Sequence, residues 1–292
     1  MKIFVHVHIY YANMWNELKE YLKNITVPYD MVVTFVDKHP EIEDDILFFK
    51  SDAKIMYVEN KGWDVGPFIS ALQSINLNNY DYVIKIHTKR DLPGLFSEED
   101  IPFYYPVRKH LKYKSEWRHE LLSFLQDEIT FEKCLSAFES DKQLGMTANF
   151  KIITDKSEKD KKVYNEAKNL LIKIGYPQED FKFVAGTMFM VRAKLLTPVL
   201  TIKDFIGDFT ETKRKDIAVS AHVLERFLGG LVCLQGYEIK DVFTEKQKFG
   251  FPFREIAVGI FRFVFQYRVT QSGYKTIKIF KIPIFRKKVI SE

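Results

Sequence analysis

The chain has 292 residues, 46% hydrophobic and 28% charged, which excludes a disordered segment and allows one large α/β domain or two small ones. No apolar run is long enough to cross a bilayer, and Cys134 and Cys233 lie far apart without metal-ligand spacing, which suits a reducing compartment. The net charge of +5 is concentrated at one end: residues 256–291 hold eight Lys and Arg and no acid, so the body before them is close to neutral.

Lys2–His8 reads as a first strand, and because Met1-Lys2 runs straight into it without a signal peptide, a cytoplasmic protein is expected. Asn13 is a candidate cap for a helix over Met14–Lys23, with Trp15, Leu18, Tyr21 and Leu22 on one face. Met31–Val36 is a continuous apolar strand, Glu41–Lys50 a helix, and Lys54–Val58 a third strand. Gly66–Ile75 is a helix and Tyr82–His87 a fourth strand. Continuous rather than alternating apolar strands between helices predict a parallel sheet buried on both faces.

The second half is less regular. Asp91–Ser115, with Pro93, Gly94, Pro102 and Pro106, predicts a long functional or mobile loop. Helices are expected over Glu116–Gln126 and Thr130–Ser140, a strand over Leu144–Ala148, and a lysine-rich surface helix over Asp155–Lys173. Phe183–Arg192 reads as one apolar strand interrupted by Ala185-Gly186-Thr187, and Asp216–Gly229 as a helix. Without a repeat or a low-complexity linker, residues 1–255 are expected to form one domain and 256–292 a basic aromatic extension. Such an extension suits an anionic membrane face. No nucleic-acid motif accompanies it, so nucleic acid is not an expected partner; a solvated basic surface is the plainer alternative.

Chemistry-bearing residues gather at a few places. In Asn60-Lys61-Gly62-Trp63-Asp64-Val65-Gly66-Pro67, Gly62 can adopt positive φ, and Asp64 can accept hydrogen bonds from a ribose or base or pair with a cation. Gly66 and Pro67 open a helix whose N-terminus could face a pyrophosphate; a structural turn is the competing reading. Lys85, His87, Thr88 and Lys89 crowd the carboxyl end of the fourth strand, where open α/β sheets place ligands. His6 and His8 share a face of the first strand and, with Tyr10 and Tyr11, could line a base or sugar pocket, bind a metal, or simply pack.

Two further clusters lie downstream. Around Gly186 and Thr187 small residues would let a substrate approach the backbone, and Arg192 would hold a loop or a phosphate. On the last helix His222, Glu225 and Arg226 stand at i, i+3 and i+4, with Asp216 before them. A carboxylate beside a histidine suits a general base for a hydroxyl, and a polar cluster tethering the helix is the alternative.

In this order, Val5-His6-Val7-His8 with Tyr10-Tyr11, Asn60-Lys61-Gly62 with Asp64-Val65-Gly66-Pro67, Lys85-Ile86-His87-Thr88-Lys89, Trp117-Arg118, Ala185-Gly186-Thr187-Met188-Phe189 and Ala221-His222 with Glu225-Arg226 resemble the rhamnan synthesis protein F family of bacterial polysaccharide glycosyltransferases. The resemblance implies a GT-A-like fold. It also implies transfer of a sugar, best matched by L-rhamnose from a dTDP-activated donor, to a lipid-linked cell-surface glycan at the inner face of the membrane. Trp63 departs from the family, which often has arginine there. GT-A enzymes carry Asp-x-Asp for Mg or Mn after the fourth strand; here His87-Thr88-Lys89 stands in that place, so cations are expected to do the metal's work. On this reading His6, His8, Asn60 and Asp64 contact the nucleotide or sugar, and Lys85, His87 and Lys89 steady the diphosphate. Glu225 or Asp216 is the base, oriented by His222 and Arg226. A non-catalytic nucleotide-sugar- or glycan-binding subunit of an assembly complex is the rival.

Overall fold

A computed structural model describes residues 1–89, 113–155, 161–201, 214–244, 265–269, 274–279 and 282–288. The chain divides into two compact units, Met1–Arg90 with Ser115–Thr244, and Asp91–Lys114 with Glu245–Glu292.

The first unit opens with strands and helices in alternation: β1 (Ile3–Ile9), α1 (Trp15–Leu22), β2 (Tyr29–Phe35), α2 (Pro40–Phe49), β3 (Lys54–Tyr57), α3 (Val65–Gln73) and β4 (Tyr82–His87). Then come α4 (Tyr113–Leu122), α5 (Glu128–Ser140), β5 (Leu144–Thr147), β6 (Ile153–Thr154), α6 (Lys161–Lys173), β7 (Phe183–Val184), β8 (Phe189–Arg192), α7 (Arg214–Leu234) and β9 (Glu238–Lys240). Seven strands form one sheet in the order β3-β2-β1-β4-β8-β5-β9. The first four are parallel neighbours, β8 runs antiparallel between β4 and β5, and β5 is parallel to β9. The expected α/β architecture with a mostly parallel central sheet is therefore present.

Strand order explains where a ligand site belongs. The chain steps outward from β1 through β2 to β3, then returns to place β4 on the other side of β1. With right-handed crossovers, α3 lies on the face opposite α1 and α2. The order reverses between β1 and β4, and such a reversal opens a crevice at the carboxyl ends of the two strands. Both strands are buried along their whole length. Their register pairs His6 with Lys85 and His8 with His87, and β2 brings Thr34 beside His8. Side chains paired across parallel strands share a sheet face, so one face of the core carries a polar stripe that must find partners internally.

Several elements differ from expectation. Asn13 does not cap α1: it sits inside a 3-10 turn, Ala12–Met14, and the residue before the helix is Met14, which makes no side-chain cap. The expected single strand Phe183–Arg192 is two strands in different sheets, because Gly186 (φ +85°) and Thr187 (φ +52°) turn the chain between them. The lysine-rich helix is described over Lys161–Lys173, and residues 156–160 lie outside the described residues, as do 91–112 of the proline-rich segment.

The second unit carries an antiparallel three-stranded sheet that the sequence reading did not anticipate, with β10 (Phe265–Val269), β11 (Tyr274–Ile279) and β12 (Ile282–Lys288) in chain order. A register shift falls between Ile277 and Lys278. Among the described residues no helix is long and apolar enough to cross a membrane.

Candidate functional site

The turn before α3 is built on two successive left-handed residues, Gly62 (φ +69°) and Trp63 (φ +53°). Glycine takes this conformation without cost, whereas a bulky side chain is strained in it. The turn aims Asp64 back across the sheet. Asp64 precedes α3 but does not cap it; its carboxylate accepts from the Lys85 ammonium at 2.6 Å and from the Thr187 hydroxyl. Lys85 also donates to the Thr187 carbonyl and hydroxyl, both at 2.9 Å. All three ammonium hydrogens are thereby used.

This geometry changes the part assigned to Lys85. The side chain is 0% exposed and has no hydrogen left for a diphosphate, so it acts inside the fold, through Asp64 and Thr187. Burial pushes the Lys85 ammonium below its usual pKa, and the Asp64 charge opposes that shift. Burial alone would push the Asp64 carboxyl up, but the field of His87 and Lys85 and the two hydrogen bonds hold it well below the carboxylate range. Since His87 is itself neutral near pH 7, Lys85 is the partner that keeps Asp64 ionised.

The histidines beneath this pair are hydrogen-bonding groups rather than cations. His6 Nε2 and His8 Nδ1 each lie 3.0 Å from Thr34 Oγ1. A hydroxyl has one hydrogen and two lone pairs, so it donates to at most one ring and accepts from at least one. Burial lowers His6 and His87 well below the usual histidine pKa, and lowers His8 to about 4. Among the described residues His87 is buried with neither ring nitrogen in a hydrogen bond; its Nδ1 stands 3.5 Å from Asp64 Oδ2. An orphaned buried imidazole at the end of β4 is a group waiting for a partner.

The strand end is pinned from the β1 side. Thr88 N–H donates to the His8 carbonyl at 3.0 Å, and Thr88 Oγ1 accepts from the backbone N–H groups of Tyr10 (3.0 Å) and Tyr11 (3.1 Å). Thr88 thus fixes the loop after β1, leaving Tyr10 exposed and edge-on to Tyr11. Lys89 is partly buried and Asn60 exposed.

Two expectations for backbone contacts are corrected. The Val65 and Gly66 N–H groups both bond to the Gly62 carbonyl (3.1 and 3.0 Å), and Pro67 has none, so the first three residues of α3 offer no free N–H to a pyrophosphate. Gly66 serves the turn. Around Gly186, the space is filled by protein: an added Cβ would lie 2.5 Å from Leu121 Cδ2. The Gly186 N–H donates to Glu225 Oε2 at 3.0 Å, and the Thr187 hydroxyl is spent on the lock. Arg192 holds chain rather than phosphate, donating to the carbonyls of Leu144, Phe138 and Asp141.

On α7 the cluster separates by burial. Arg226 is buried, its guanidinium 4.5 Å over the Phe183 ring, and it donates to Glu225 Oε1 (2.8 Å) and the His222 carbonyl (3.0 Å). Glu225 is therefore aimed by Arg226 on one oxygen and Gly186 on the other. His222 is exposed and meets the Trp63 ring at 5.5 Å between centroids and 72° between planes. Asp216 lies in α7, but its side chain, like that of Trp117 in α4, is outside the described residues. Arg118 Nε bonds to Glu17 at 2.6 Å.

The folded chain thus brings Asp64, Lys85, His87, Thr187, Gly186, Glu225 and His222 into one connected cluster. His6 and His8 lie beneath it, linked through Thr34. The sequence reading missed Thr34, the Trp63–His222 contact and Leu121. Only Thr34 left a signal, as the one hydroxyl in the apolar run of β2.

Among the described residues no group of three His, Cys, Asp or Glu side chains is placed to hold a metal ion, and β4 runs out into Lys89.

A model of the rhamnan synthesis protein F family matches residues 1–237. Two curated relatives, the uncharacterized protein WxcX from two strains of Xanthomonas campestris pv. campestris, are each 23% identical over 239 residues, covering 81% of this chain and 32% of the relative. The chain therefore spans about a third of the length of these relatives. Among solved structures, S. aureus TarS 1-349 aligns with a TM-score of 0.39 and 11% identity, over 77% of this chain and 56% of that one, too distant a likeness to carry an argument. The match over residues 1–237 shows that the chain belongs to the rhamnan synthesis protein F family.

Proposed function

We propose that this protein is a polysaccharide glycosyltransferase that takes its sugar from a nucleotide donor, with L-rhamnose from dTDP-rhamnose as the preferred pair and a lipid-linked glycan as acceptor. The observation that carries the reading is the orphaned His87 beside the locked Asp64, at the carboxyl ends of β1 and β4 where the strand order reverses. Family membership supports the polysaccharide context.

In this reading the donor lies over Tyr10, Tyr11 and Asn60, with His87 reaching a donor hydroxyl and Lys89 near the diphosphate. His6, His8, Asp64, Lys85 and Thr187 shape the floor. The acceptor oxygen bonds to the anomeric carbon as the bond to the diphosphate breaks. The diphosphate leaves with the electron pair, and Glu225 takes the acceptor proton. Each Glu225 oxygen accepts one hydrogen bond and keeps a lone pair for that proton. Asp216 is the alternative base. The basic segment 256–291 would hold the enzyme at anionic lipid, so binding to phosphatidylglycerol vesicles should weaken as salt is raised.

A thermal-shift screen of nucleotide sugars tests the donor: dTDP-rhamnose should raise the melting temperature most. Nucleoside diphosphate release, with and without EDTA, tests the chemistry. Saturable binding with no release from any nucleotide sugar would favour the rival, a binding subunit of an assembly complex.

A further inference from the structure

We propose that Trp63, steadied by His222, is a stacking platform for a pyranose ring of the acceptor glycan. The inference rests on the glycosyltransferase reading and adds an acceptor subsite to it.

Trp63 is 45% exposed although it sits in a turn built on two successive left-handed residues. A left-handed backbone at φ +53° disfavours a bulky aromatic residue, and exposure returns little of what burial would give. Folding alone would be better served by glycine or asparagine here. A strained, exposed indole next to buried chemistry is what a ligand-facing group looks like.

The indole is also rigidly placed. Its chain neighbour Asp64 is clamped by Lys85 and Thr187, and His222 meets the ring at 72°. An edge-on neighbour fixes an aromatic ring without covering it the way a parallel stack would. The C–H face of a pyranose is apolar and that of a 6-deoxy sugar more so, while its hydroxyls point outward to polar partners. A flat indole flanked by an imidazole matches that division.

The choice of acceptor over donor follows from α7. His222 and Glu225 are one helical turn apart, on adjacent positions of one face. A ring seated on Trp63 against His222 would present its hydroxyls toward the carboxylate that takes the acceptor proton. Tyr10, Tyr11 and Thr88, which frame the proposed donor side, belong to the ends of β1 and β4 instead.

The test uses the full chain and simple glycosides. The protein has three tryptophans, so the Trp63 indole N–H signal in a proton–nitrogen NMR spectrum is assigned by its loss in Trp63→Phe. Titration with methyl α-L-rhamnopyranoside or methyl β-D-glucopyranoside should shift that signal saturably and leave that of the buried Trp15 in place. Glycoside affinity should fall roughly tenfold or more in Trp63→Asn and be largely kept in Trp63→Phe, while Trp63→Asn melts no lower than wild type. An unmoved Trp63 signal with both glycosides, or equal affinity in Trp63→Asn, would overturn the platform. A melting temperature lowered by several degrees in both variants would also overturn it, assigning the indole to the fold. Failure of the glycosyltransferase reading is separate, seen as wild-type protein that releases no diphosphate from any nucleotide sugar.

Discussion

Lys85 Nζ lies 2.6 Å from Asp64 Oδ2 inside the sheet, and this single ion pair joins two left-handed turns, Gly62-Trp63 and Gly186-Thr187. Each turn contains a strained non-glycine residue beside a glycine. The buried cation reaches both, through the Asp64 carboxylate on one side and the Thr187 carbonyl and hydroxyl on the other. Its contribution is to hold loops in register rather than to touch a ligand.

Removing one partner should therefore cost far more than removing both. Lys85→Met and Asp64→Asn each leave a buried charge without its mate, and each should lower unfolding stability by about 3–5 kcal/mol. The double variant Lys85→Met, Asp64→Asn should cost clearly less than the two single losses added together. Urea denaturation of the four proteins checks this; additive losses would contradict the lock.

Acid should destabilise the fold well before carboxylates titrate. His8 has a folded pKa of about 4 against 6.5 in an open chain, and His6 and His87 are lowered in the same direction. Between those values the unfolded chain binds protons that the folded chain refuses, so stability falls as pH drops, by about 1.4 kcal/mol per unit for each such histidine. Asp64 has the same sign in a lower window. Its stabilisation is full above the ordinary carboxylate range and is lost as pH falls toward its depressed folded value. Urea midpoints from about pH 7.5 to about pH 4.5 should decline steadily; a flat profile down to about pH 5 would contradict neutral, buried histidines.

Gly186→Ala should cost about 1–3 kcal/mol. The residue is left-handed at φ +85°, and the new methyl would stand 2.5 Å from Leu121 Cδ2. Because Gly186 also aims Glu225, the variant should lose turnover beyond what its residual folded fraction explains. Denaturation and turnover measured on the same preparation separate the two effects.

The parallel half of the fold was legible because its strands are buried on both faces, and continuous apolar runs between helices leave few other arrangements. His6 with His8, and Lys85 with His87, were legible as same-face pairs because side chains alternate along a strand, whereas the β1–β4 pairing that joins the two pairs shows only in the fold. Their roles were less so. A lysine at a strand end reads as a surface cation, and only the fold shows Asp64 and Thr187 closing over it. Gly186 read as room for a substrate, yet Leu121, distant in sequence, fills that room. The break of Phe183–Arg192 into two strands depends on a local left-handed turn that an apolar pattern does not record.

The most direct test of the account is steady-state release of nucleoside diphosphate from nucleotide sugars by wild type and Glu225→Gln, with donor binding followed in parallel. Wild type should turn over at least one donor, and Glu225→Gln should lose about 10²–10⁴ in rate while binding that donor nearly as well. Equal turnover by the two proteins, or donor binding without release by wild type, would contradict it.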